Sequence, residues 1–315
     1  MLSFLLAAAL AVAPAPASRD VEAPGPQGPL KGTMLSAPSP RAPVVLIIPG
    51  SGPTDRDGNN PLGVTAAPYR LLAEALAADG VATVRVDKRG MFGSRAAIAN
   101  ANAVTIGDYA GDVHAWVKAL RAETGARCIW VAGHSEGGLV ALAAAQQPDG
   151  ICGLVLIAAA GRPLDPIIRE QLLANPANAP LLPEAFAALD KLKAGQRVDT
   201  AGMNPALMPL FAPAVQGFLI DMMAYDPARL VAAFHGPVLV VQGDRDLQIG
   251  VGDARRLAAA NPKAKLVILP GVNHVLKAVA SDDRAANFAT YGNPDLPLAD
   301  GVAAAIAAFV KAGDR

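Results

Sequence analysis

The stretch Gly133-His134-Ser135-Glu136-Gly137 sets a serine between two glycines, each two residues away. An apolar run, 128–133, leads into it and an alanine-rich run, 136–147, leads out, so the serine stands where a strand turns directly into a helix. Such a turn crowds the backbone, and glycines at these two places remove the Cβ atoms that would clash. The hydroxyl then projects from the strand end, and the N–H groups that open the helix offer the positive end of its dipole. These are the needs of a nucleophile. A serine hydroxyl is nevertheless weak until a base takes its proton, and a strand–helix turn also occurs without chemistry.

The base must come from four histidines, His114, His134, His235 and His274. His274 follows the apolar run 265–269 through Pro270-Gly271-Val272-Asn273. That places it on a loop at the C-terminal edge of a sheet, the edge that carries Ser135 and where catalytic groups gather in open parallel sheets. His134 adjoins the serine and is expected to point elsewhere on the turn. His114 reads as a mid-helix packing or surface residue, and His235 as a loop residue before a strand. An acid is then needed to orient the imidazole. The run 237–241 ends in Gln242-Gly243-Asp244-Arg245-Asp246. Asp244 suits a pair with Arg245 or a turn cap. Asp246 lies farther out, has the reach to lean toward His274, and is preferred.

A tetrahedral intermediate also needs donors for its oxyanion. The N–H of Glu136 is one candidate. The other lies in Pro49-Gly50-Ser51-Gly52-Pro53, with Ser51 first and Gly52 second. The same loop continues Thr54-Asp55-Arg56-Asp57-Gly58-Asn59-Asn60, which is rich in oxygen ligands but does not complete a calcium loop, so no metal site is expected. Arg56 is expected instead to pair with nearby carboxylates and hold the loop in shape, with Asp87 or Arg89 in the same network.

The elements that must position these groups follow from periodicity. Continuous apolar runs at 44–50, 81–87, 128–133, 151–159, 237–243 and 265–271 read as strands buried on both faces. Helical spacing appears at 68–79, 108–123, 136–147 and 298–312, and the alternation of strand and helix predicts a parallel sheet wrapped by helices. Leu30 to Leu35 reads as a further short strand. Between 161 and 235 the alternation fails, and helix-like pieces at 166–174, 183–194 and 207–224 predict a helical lid inserted into a core of 30–160 and 236–315. Within the lid, Met203, Met208, Phe211, Phe218, Met222 and Met223 are candidates to line a substrate pocket. Tyr291 and Pro297, on the long loop after His274, are candidates to border its entrance.

Lys+Arg and Asp+Glu both number 27, so no net field recruits nucleic acid or an anionic membrane surface, and a nucleic-acid partner is not expected. Hydrophobic residues make up 52 % of the chain and charged residues 17 %, which suits a large buried core rather than disorder. Leu2 to Val12 is apolar and uncharged and is followed by Ala15-Pro16-Ala17, a small-x-small pattern. Residues 1–17 therefore read as a cleaved secretory signal, with a periplasmic or secreted product, no stable membrane anchor after cleavage, and a mobile linker over 18–29. The two cysteines, Cys128 and Cys152, are too few for a cysteine zinc site. Two buried thiols and a disulfide formed after export both remain open.

With these residues in place the chain, from about residue 30 to its end, resembles the α/β-hydrolase superfamily. The order Ser135, Asp246, His274 is the order of that superfamily. Within it, "PGSGPTDRDGNNPL", "DKRGMFGS" and "GDRDLQIGV" are similar to the bacterial esterases of the EstD type, relatives of the serine aminopeptidase-like hydrolases. "GHSEGG" and "PGVNHVLK" agree with that group, and Asp246 takes its Gly-x-x-Asp position. Many relatives carry His-Gly where this chain has Pro49-Gly50, a change that leaves a backbone donor intact. The resemblance implies an α/β-hydrolase fold with a lid, a serine hydrolase needing no cofactor, and a small-molecule carboxylic ester of short acyl chain as substrate. An aminopeptidase or amidase, a thioesterase or a lactonase would use the same three residues. A non-catalytic binding protein would have no reason to keep them together. The oligomeric state is not legible.

Overall fold

The computed structural model describes residues 17–314. The apolar runs become one eight-stranded sheet in the order β1-β2-β4-β3-β5-β6-β7-β8. The strands are β1 Ser18–Ala23, β2 Leu30–Leu35, β3 Val44–Ile48, β4 Ala82–Val86, β5 Ile129–His134, β6 Ile151–Ile157, β7 Val238–Gly243 and β8 Ala264–Leu269. β2 is antiparallel to both of its neighbours, and β4, β3, β5, β6, β7 and β8 run parallel. β3, β4, β5 and β7 are buried from end to end, which explains why their sequences do not alternate.

Successive side chains of β3 enter opposite layers. Val44, Leu46 and Ile48 face α2 (Ile106–Thr124), α3 (Glu136–Ala144) and α9 (Val251–Ala260). Val45 and Ile47 face α1 (Pro68–Ala78) and α11 (Val302–Gly313). α1 starts at a proline, whose missing N–H costs nothing at that position. α2 starts at a reciprocal cap between Thr105 and Asp108 and stops at Gly125 in the left-handed region. Its Val113, Trp116, Val117 and Leu120 are buried, each contributing about 1.5–3 kcal/mol of transfer free energy.

The segment 161–235 is helical, as its composition predicts: α4 Leu164–Leu173, α5 Leu182–Lys193, α6 Met208–Phe211, α7 Pro213–Met223 and α8 Pro227–Ala233. The lid has a small core of its own, in which Ile168, Leu189, Leu192, Phe211 and Leu219 meet. α8 departs from the expected boundary: Val231, and Phe234 just after it, pack into the main core. Two further helices, α9 and α10 (Arg284–Ala289), were not anticipated from the sequence.

Residues 18–29 do not form the expected linker throughout. Ser18–Ala23 pairs with Leu30–Leu35 in continuous register, with Val21 and Ala23 buried. The strand is an edge strand, so four polar positions conceal it in the sequence. The expected signal segment lies, Ala17 apart, outside the described residues. Among the described residues no single helix is long and apolar enough to cross a membrane. Cys128 and Cys152 form a disulfide with a Cα–Cα distance of 5.1 Å. It joins the start of β5 to β6, at the end of the sheet opposite Ser135.

Candidate active site

Ser135 is the single residue between β5 and α3, with φ 54° and ψ −119°. A non-glycine residue held there costs about 1–3 kcal/mol, which the surrounding packing must offset. Both flanking glycines are required by geometry. A Cβ on Gly133 would lie 2.1 Å from the Gly137 carbonyl oxygen, and one on Gly137 would lie 2.4 Å from that of Ile48. The Ser135 N–H donates to Ile157 at 2.9 Å and ties the turn to β6.

The His274 loop leaves β8 and returns over the same edge. Nδ1 of His274 donates to Asp246 Oδ2 at 2.8 Å, and both side chains are buried. Oδ2 also accepts from Gln242 Nε2 at 3.1 Å, while Oδ1 accepts the N–H groups of Gln248 and Ile249 at 2.8 and 3.0 Å. Burial alone would raise the Asp246 pKa. The adjacent His274, its hydrogen bond and the two N–H groups outweigh burial and hold the carboxyl below its usual value. With Nδ1 taken, Nε2 is the nitrogen left to receive a proton. Among the described residues the Ser135 hydroxyl makes no hydrogen bond, to His274 or to any other group; in unliganded sites such contacts commonly tighten only when substrate binds. Asp244 is exposed and accepts the Gly271 N–H at 2.7 Å, so it caps the turn after β8. His114 and His235 lie away from this edge, on α2 and on the loop before β7.

His134 has a larger part than its sequence position suggests. It is buried, its ring centroid is 4.7 Å from that of His274, and its Nε2 donates to the His274 carbonyl oxygen at 2.8 Å. Its Nδ1 therefore accepts from Tyr69 Oη at 2.8 Å, and Tyr69 Oη accepts the Gly50 N–H at 2.9 Å. One file of hydrogen bonds thus connects the Gly50 loop, the serine turn and the His274 loop. Burial, aided by the neighbouring His274, lowers the His134 pKa to about 3, so the ring is neutral at ordinary pH. No short-range signal marks this role; the partners are 65 and 140 residues away.

Ser51, Gly52 and Glu136 line the same cavity as Ser135, and among the described residues no protein acceptor takes the N–H of Ser51 or Glu136. The loop behind them is held as expected by Arg56, which donates from Nε and Nη2 to Asp87 Oδ2 at 2.9 and 2.7 Å. Asp55 accepts the N–H groups of Asp57 and Asn59, and Asp57 pairs with Arg85, so the loop's carboxylates are engaged within the protein. Arg89 does not join this network. It forks onto Asp112 with two 2.7 Å bonds and reaches Asp108, because its side chain turns toward α2.

The cavity encloses about 380 Å³ between the sheet edge and the lid. Phe218 and Met222 line it as expected, together with Leu139, Ile167, Ile168 and Leu219. Met203, Met208, Phe211 and Met223 do not line it; they face the lid's interior core, since α6 and α7 are apolar on more than one side. Tyr291 is also absent from the lining. It packs on Ala66 and Val275, and its hydroxyl accepts from Gln248 Nε2, so it backs the wall.

The family model described as serine aminopeptidase, S33, matches residues 62–277. Among solved structures, an esterase from Thermogutta terrifontis with malate bound superposes with a TM-score of 0.57 at 19 % identity, covering 94 % of this chain and 100 % of that one. The Pyrococcus furiosus esterase Pf2001 gives 0.56 at 18 % identity, covering 95 % and 93 %. Est1E from Butyrivibrio proteoclasticus gives 0.56 at 18 %, covering 93 % and 98 %. At these identities the likeness is one of fold. A search of curated proteins found no match.

Proposed function

The chain belongs to the serine aminopeptidase S33 family of α/β hydrolases and is a serine hydrolase, and we propose that its reaction is the hydrolysis of uncharged carboxylic esters with Ser135, His274 and Asp246 as the catalytic set. Ser135 Oγ attacks the ester carbonyl carbon while its proton passes to His274 Nε2. The carbonyl oxygen becomes an oxyanion held by the N–H groups of Ser51 and Glu136. Collapse breaks the ester C–O bond, and His274 returns the proton to the leaving alcohol. Water repeats the sequence on the acyl-enzyme and releases the carboxylic acid. Asp246 holds the imidazole in the tautomer this requires.

The observation that carries the choice of ester is the cavity wall. Its only carboxylate among the lining residues is Glu136, and that group is already bonded to Lys88 Nζ at 3.2 Å. The α-amine of an aminopeptidase substrate would find no free anion there. The remaining wall is mostly aliphatic and aromatic, and its volume exceeds twice the roughly 150 Å³ cavity that holds a benzene molecule. Acyl groups from butyryl to octanoyl, or an aryl acyl group, match that space. A p-nitrophenyl ester series run beside aminoacyl anilides tests the assignment, with fluorophosphonate labelling mapped by mass spectrometry. Label on Ser135 and ester turnover are expected. Preferred turnover of anilides would reverse the substrate assignment, and label elsewhere would reverse the site.

Export is part of the same reading. The apolar segment 2–12 with its small-x-small site supports it, as does the Cys128–Cys152 disulfide, since such bonds persist chiefly in oxidising compartments. N-terminal sequencing of the protein from cell fractions would test it; an unprocessed cytoplasmic product would count against it.

A further inference from the structure

The geometry points to Lys88 as the residue that positions the oxyanion hole, an inference that rests on the catalytic reading above. Lys88 lies two residues past the end of β4 and is buried, with a side-chain exposure of only 5 %. An ammonium group so placed is costly unless its donors are matched. Its Nζ donates to the Gly50 carbonyl oxygen at 2.7 Å and to Glu136 Oε1 at 3.2 Å, and lies 5.6 Å from the centre of the Tyr109 ring. The first partner shares a peptide with one expected oxyanion donor, and the second is the side chain of the residue that carries the other.

The Gly50 carbonyl and the Ser51 N–H share one planar trans peptide and point in opposite directions, so holding the carbonyl fixes the direction of the N–H. Tyr69 fixes the peptide on the other side of Gly50 by taking its N–H. The second partner, the Glu136 carboxylate, belongs to the residue whose N–H follows the serine. A single ammonium therefore ties the loop after β3 to the first turn of α3 and sets the distance between the two donors. Donors fixed before reaction stabilise the transition state without reorganising, and a misplacement of about 1 Å costs on the order of 100-fold in rate.

The test compares the wild type with K88M/E136Q and R89M. The double variant removes the ammonium without leaving a lone buried carboxylate. R89M breaks the neighbouring buried pair with Asp112 and serves as a control for structural loss. K88M/E136Q should lower kcat by about 10- to 100-fold with KM little changed. It should also weaken a trifluoromethyl ketone, which forms a tetrahedral adduct, by the same factor as kcat/KM. R89M should lower Tm and leave kcat as it was. Wild-type kcat in the double variant, or equal losses in both variants, overturns the role of Lys88 alone. A wild type that does not label at Ser135 overturns the catalytic reading and this inference with it.

Discussion

The two walls of the cavity are built on opposite principles. Behind the wall at the sheet edge the packing is polar, buried and cross-bonded: four donors converge on Asp246, and Tyr69 and His134 connect loops distant in sequence, though none of these three lines the cavity. The lid wall is apolar and rests on its own core. Its polar ties to the body include Arg162 to Asp253 at 2.6 Å and Asp221 to the Ile106 N–H at 2.7 Å. A hydrogen-bonded wall admits one arrangement, because each lost partner leaves a buried group unpaired. An aliphatic wall tolerates exchange of similar volumes. In the proposed reaction the rigid side carries the chemistry and the permissive wall the choice of acyl group.

The contrast is broken most severely by S135A, which should cut kcat by about 10⁴- to 10⁶-fold in an ester assay while Tm holds, since alanine keeps the backbone conformation of the turn and the lost hydroxyl makes no hydrogen bond among the described residues. D246N should follow at about 10⁴-fold. D244A removes only a turn cap, worth about 1 kcal/mol, and should be measurable in Tm rather than in turnover. If D244A is the more damaging in kcat, the two aspartates have been assigned in reverse.

His134 gives a pH test of the rigid wall. Its pKa falls from an ordinary 6.5 to about 3 on folding, so the unfolded chain binds the proton more readily. The stabilisation is complete above pH 6.5 and is lost progressively as pH falls toward 3, a change of several kcal/mol. Asp246 acts in the same sense but only below the ordinary carboxylate pKa of about 3.9. Urea unfolding across pH 3–7 should therefore show a stability slope between 6.5 and 4 that H134Q flattens. An unchanged slope in H134Q would place the effect elsewhere.

C128S/C152S should cost about 3 kcal/mol in stability and leave kcat near its original value, because the bridge lies at the other end of β5. The lid should give the smallest change and the most selective one. F218A should shift the preferred acyl length and alter kcat/KM for the longer esters by about 10-fold, with the acetyl ester little affected. F211A should lower stability by about 3–5 kcal/mol without shifting the length preference, since that ring faces the lid core.

The rigid wall was the more legible of the two in the sequence. Ser135, Asp246 and His274 each follow a recognisable strand, and in a parallel sheet the strand ends share one edge, so local signals were enough to place them on that edge. The same reasoning brings Arg56 to the loop's carboxylates and leaves Asp87 and Arg89 as alternatives in its network, between which only the folded chain decides. His134, Tyr69, Gln242 and Lys88 could not be assigned this way, because their roles depend on partners that only the folded chain brings near. The lid was legible as helices and not as a lining: Phe218 and Phe211 are both apolar residues at helical spacing, and nothing local distinguishes the side facing the cavity from the side facing the lid core. β1 escaped notice because an edge strand needs few apolar residues, and α9 because its first turn has no side-chain cap.

The disulfide closes a ring that begins at Cys128 and ends at Cys152, and Ser135 lies inside it. A protease that nicks the chain anywhere between these cysteines releases no piece. The severed ends stay tethered, and the serine turn keeps its place between β5 and β6 until a reductant arrives. The segment that bears Ser135 is therefore the stretch that a single cut cannot carry away.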